Sequence, residues 1–188
     1  MAVDTDKFSV NLRYLLWQSG RPHDKWVSTI VQWLGCPAAR AFGLLTNDRP
    51  TQTEADELAE RLGVTSEDLR FIDLLGALGD DLFFENLRYL VNGVEHGDKK
   101  EIARRVGVHN TSLSRWISGS HRPDMRSRQL LADYFGLTSE IELTDKPLFL
   151  SLIPISEGHR KKWLAGAIDA MDQKDLNALF PALHKLLS

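Results

Sequence analysis

The chain has 188 residues, 43% of them hydrophobic, which is room for one or two domains with buried cores. Its lone cysteine, Cys36, excludes an intramolecular disulfide and a cysteine-based zinc cluster, and reads most simply as a small buried apolar side chain. No apolar run approaches the roughly 20 residues that span a bilayer, the first residues lack the basic start and apolar core of a leader, and the net charge is −3; the expectation is a soluble cytoplasmic protein in which any surface for a polyanion is local.

Phe8, Leu12, Leu15 and Leu16 recur at the spacing of an amphipathic helix, with Asp4 or Asp6 as its cap. Phe83, Leu87, Leu90 and Val91 repeat that spacing, and inside each stripe lies one string, Asn-Leu-Arg-Tyr-Leu, at 11–15 and again at 86–90. Ile30, Leu34 and Gly35 correspond to Ile102, Val106 and Gly107 at an offset of 72. Leu58, Ala59, Gly63 and the Thr65-Ser66-Glu67 run reappear at an offset of 73. This pattern predicts two copies of one domain, residues 1–76 and 80–144, with Gly79, Asp80 and Asp81 at the junction and the aspartates capping the next helix.

In the first copy, the second helix of the central pair turns Ala38, Ala39, Phe42, Gly43 and Thr46 outward, with Ala41, Leu44 and Leu45 on the core arc. Only Thr46 of the outward set carries a hydrogen-bonding side chain, and residues 1–75 carry eight Lys and Arg against eleven Asp and Glu. This face is poorly suited to bases or phosphates. Ala38, Ala39, Phe42 and Gly43 are expected to contact protein instead.

The second copy differs. A short helix from Lys99 to Val106, a turn at Gly107-Val108-His109 and a helix from Asn110 to Ser118 read as a helix-turn-helix, with His109 capping the second helix. Between Lys99 and Arg128, eight cationic side chains face two carboxylates, a local excess of +6. At 100° per residue, Leu113, Trp116 and Ile117 share the core arc, while Asn110, Thr111, Ser114, Arg115 and Ser118 point away. Asn pairs with adenine, Arg with guanine, and small hydroxyls approach base edges or phosphates. Asn110, Thr111, Ser114 and Arg115 are therefore the candidate base readers, and Lys99, Lys100, Ser112, Ser118 and Arg122 the candidate phosphate contacts.

Ile102-Ala103, Gly107-Val108, Leu113, Trp116, Gly119 and Pro123 resemble the phage-repressor-like helix-turn-helix family (lambda repressor, Cro, XRE), over about Leu82 to Leu143. The resemblance implies a five-helix all-α domain in which Asn110, Thr111 and Arg115 read bases while Lys99, Lys100 and Arg122 touch phosphate. Ile117 departs from the pattern, since an acidic residue often stands there.

Residues 145–155, with Pro147 and Pro154 flanking an apolar run, are expected to be an extended connector or short strand, and 156–188 a helical appendage starting near Ser156. Pro181 is expected to kink or divide the last helix. Leu179, Phe180 and Leu183 belong to an apolar tail that must pack back on the repeats or against a second chain. The six histidines are dispersed and show no metal-ligand spacing, and no phosphate loop or catalytic constellation is present, so neither a metal, a cofactor nor an enzymatic activity is expected.

The sequence thus predicts an all-α protein: two tandem repressor-like helix-turn-helix domains of about five helices each, the first diverged, plus C-terminal helices. The expected function is sequence-specific double-stranded DNA binding by a homodimeric transcriptional regulator, with the second helix-turn-helix in the major groove and a protein partner at the first repeat. The alternative is an adaptor or antitoxin-like component that docks a protein through the same fold.

Overall fold

The computed structural model describes residues 6–93, 98–155, 157–170 and 173–187, and the regular elements among them are all helical. Five helices fill the first half: α1 (Phe8–Gln18), α2 (Trp26–Leu34), α3 (Ala38–Thr46), α4 (Gln52–Leu62) and α5 (Ser66–Phe71). Beyond a 3-10 turn at Gly76–Asp81 come α6 (Leu82–Asn92), α7 (Asp98–Val106), α8 (Asn110–Ile117), α9 (Met125–Phe135) and α10 (Ile141–Asp145). A 3-10 turn at Leu148–Leu150 leads to α11 (Glu157–Ala170) and α12 (Gln173–Leu187). Asp4 and Ser156 lie outside the described residues; Asp6 accepts the Phe8 N–H at 3.0 Å.

The apolar stripes bury as their spacing demands, with Phe8, Leu12, Leu16, Trp26 and Ile30 in the first half and Phe83, Leu87, Leu90, Ile102 and Leu113 in the second. In the first half α1 packs on α3 and α5, and α2 on α3 and α4. In the second half α6 packs on α8 and α10, and α7 on α8 and α9. Asn11 and Asn86, the first residues of the two identical strings, are both fully buried. The Asn11 side-chain amide donates to the carbonyls of Leu69 (3.0 Å) and Ile72 (2.7 Å), tying α1 to the end of α5. The Asn86 amide donates to Leu143 (2.9 Å) and Lys146 (2.7 Å), tying α6 to the end of α10.

Three local expectations are revised. Asp81 makes no side-chain capping bond, because the junction winds into a 3-10 turn that runs directly into α6. The apolar run after Pro147 is neither extended nor a strand. Leu148, Phe149 and Leu150 form a buried 3-10 turn wedged between α1 and α6, where Arg13 donates to the Leu150 carbonyl (3.0 Å) and the Phe149 N–H donates to Asn86 Oδ1 (3.3 Å). Finally, Pro181 does not divide α12: its missing N–H removes one helical bond without ending the helix.

No described helix is long and apolar enough to cross a membrane. Trp163 on α11 and Phe180 on α12 are 52% and 60% exposed, while Leu179 and Leu183 are half-buried.

Candidate nucleic-acid interface

Gly107 ends α7 at φ +74°, a left-handed conformation that costs glycine nothing. The turn is closed by the Val108 N–H on the Ala103 carbonyl (2.8 Å). His109 then sits in extended backbone as the N-cap of α8, its Nδ1 accepting from the Thr111 N–H at 3.3 Å and lying 2.9 Å from the Thr111 hydroxyl. At the other end Gly119, at φ +76°, lets the chain turn back, and the Arg88 Nε–H donates to the Ile117 carbonyl at 2.9 Å. Both ends of α8 are therefore held by side chains or backbone outside it.

Leu113 and Trp116 anchor α8 in the core, leaving Asn110, Thr111, Ser114 and Arg115 exposed along its outer edge. Among the described residues no carboxylate pairs with Arg115, Lys99, Lys100 or Arg126, and all four are exposed. The rest of the basic stretch is partly engaged within the protein. Arg104 and Arg105 share Glu101, whose carboxyl their hydrogen bonds hold down at about 2. Arg128 pairs with Glu140 at 2.8 Å and is a structural cation joining α9 to the start of α10. Arg122 lies over the Phe84 ring, 5.9 Å from its centroid. Asp124 spends its charge on the α9 N-cap, accepting the Ser127 N–H at 2.7 Å, and this lowers its pKa.

Of the other hydroxyls named from the sequence, Ser118 donates to the Arg115 carbonyl at 3.0 Å and Ser112 is half-buried. Arg126, on the first turn of α9, was within the basic stretch but not singled out, because helical phase within α8 carries no information about a neighbouring helix.

A family model described as helix-turn-helix matches residues 96–143. This segment is a helix-turn-helix domain. No curated protein and no solved structure matches the chain significantly. A helix-turn-helix that binds DNA places its second helix, here α8, in the major groove.

The α2–α3 pair of the first half offers different chemistry. Ala38, Ala39 and Phe42 are exposed on α3, with Phe42 at 50%. The Thr46 hydroxyl is turned inward onto the carbonyls of Phe42 (3.1 Å) and Gly43 (3.0 Å). Gly43 does not open a path for another helix, since a Cβ there would fall 2.0 Å from an Asp48 carboxylate oxygen that occupies the space. Arg40 is clamped by Glu54 through two hydrogen bonds (3.0 and 2.7 Å) and by Asp48 (3.2 Å). α3 therefore presents no unengaged donor or acceptor side chain along its outer edge.

Proposed function

We propose that the protein is a sequence-specific double-stranded DNA-binding regulator of transcription whose α7–α8 pair, residues 98–117, reads the major groove. The observation that carries this reading is the outer edge of α8, where Asn110, Ser114 and Arg115 stand exposed on a helix held at both ends, beside Lys99, Lys100 and Arg126, which no carboxylate pairs with among the described residues. Asn110, Thr111, Ser114 and Arg115 contact bases; Lys99, Lys100, Ser112, Ser118 and Arg122 contact phosphates and set the register. The halves 1–76 and 80–144 are two copies of one domain, a reading supported by their matching helix pairings and by the twin roles of Asn11 and Asn86.

The chain works in the cytoplasm as a homodimer through α12, where Leu179, Phe180 and Leu183 line one edge. The first repeat contributes a protein contact at Ala38, Ala39 and Phe42 rather than base readout, its α3 having lost polar reach.

Selection of bound sequences from a random duplex library tests the reading. A single recovered motif is expected, and Arg115→Ala is expected to cost about 1–3 kcal/mol on that motif and relax one base position. Lys99→Ala should weaken all sequences alike and reduce the salt slope by about 1. Recovery of no motif, with partner binding insensitive to salt, would favour an adaptor that docks protein through the same fold.

A further inference from the structure

A cavity of about 860 Å³ opens where the two halves, the connector and α11 meet. Its size falls in the range of small-molecule sites, and its walls have their composition: aromatic surfaces with a few polar groups. Trp17 enters from the end of α1, Phe42 from α3, Tyr89 from α6 and Trp163 from α11. The imidazoles complete the lining. His23 is stacked on Trp26 at 4.1 Å between centroids and fixed by an Nε2–H bond to the Phe149 carbonyl at 2.6 Å; His159 lies flat on Tyr89 at 4.2 Å.

The wall is built to hold this shape. Gly93, at the end of α6, has ordinary helical backbone, so its missing side chain serves space alone: a Cβ there would lie 2.2 Å from the His159 ring. Burial lowers the pKa of His23, which keeps that wall uncharged near neutrality.

The charge at the mouth is uneven. Arg21 lines the cavity with its guanidinium held 4.8 Å over the Trp33 ring, and no carboxylate pairs with it among the described residues. Asp24, the one carboxylate in the described lining, lies 3.6 Å from Lys25. An oriented arginine beside apolar aromatic walls is the arrangement that binds a flat ring through its faces and a carboxylate through the guanidinium fork.

We propose that this cavity is a binding site for a small planar aromatic carboxylate, with the ring between the Trp17 and Trp163 walls and the carboxylate on Arg21. The assignment stands apart from DNA reading by α8, because it is measured on the protein alone. Isothermal titration of the full chain with 2-naphthoate and with its neutral counterpart 2-naphthamide tests it. Saturable naphthoate binding below about 1 mM is expected. Arg21→Gln should weaken naphthoate at least tenfold and leave naphthamide within twofold, and Leu152→Trp, which fills the cavity, should abolish both while circular dichroism and the melting temperature stay close to those of the parent. Absence of saturable binding, or binding of both compounds unchanged in Leu152→Trp, would overturn the site; equal loss of both in Arg21→Gln would overturn the carboxylate assignment.

Discussion

Asn11 and Asn86 show how much one polar side chain decides when it is buried. Each amide satisfies carbonyls at the C-terminal end of a helix that no intrahelical N–H reaches. Asn86→Ala would leave the Leu143 carbonyl without its donor and the buried Phe149 N–H without its acceptor, and is expected to lower stability by about 2–4 kcal/mol in urea unfolding. Arg40 carries a second residue-scale effect. Its hydrogen bonds to Glu54 pull that carboxyl from the ordinary 4.5 to about 2. A carboxyl whose folded pKa is depressed contributes stability in full above its unfolded value and loses it as pH falls through its folded one. Acid titration of stability should therefore show a loss between about pH 4.5 and 2, and Arg40→Gln should flatten that arm while lowering stability at neutral pH.

At the scale of the element, α8 is short, and its placement depends on what holds its ends. Glu85 links the C-terminal end of α8 to the rest of the molecule: one oxygen pairs with Arg88, which holds the Ile117 carbonyl, and the other accepts the Trp17 indole N–H at 2.9 Å. Arg88→Ala is expected to cost about 1–2 kcal/mol of stability and to weaken duplex binding without changing the preferred motif, as read by urea unfolding and by repeating the selection. The helices themselves were legible. Apolar phase placed α7 and α8 within a residue of their observed ends, and it separated buried Leu113 and Trp116 from exposed Asn110, Thr111, Ser114 and Arg115. The 3-10 turn at Leu148–Leu150 was not, because a short apolar run reads the same whether it is a strand or a wedge. Nor was the engagement of Arg128 by Glu140, or the role of Gly93, since each depends on a partner that no local spacing reveals. The cavity escaped notice for the same reason: Trp17, His23, Tyr89 and His159 come from stretches scattered along the chain.

For the whole molecule, the connector joins two five-helix halves by filling the space between them. Arg13 and His23 of the first half grip its carbonyls, and Asn86 of the second accepts its N–H. Phe149, fully buried, should cost about 3–5 kcal/mol when replaced by Ala, and both halves should then melt earlier together in calorimetry rather than one alone. The proposed dimer predicts that truncation after residue 155 yields a monomer by light scattering, with weaker duplex binding through lost bivalence; a full-length protein already monomeric at micromolar concentration would contradict it. The position of the wedge also has a consequence in time. Emerging from a ribosome, the first half is complete near residue 75, yet the turn that covers Trp17 and His23 follows only at residues 148–150. At about 5–20 residues per second, that is an interval of about 4–15 seconds. Throughout it, an aromatic face of the nascent chain stands open to other unfinished copies and to chaperones.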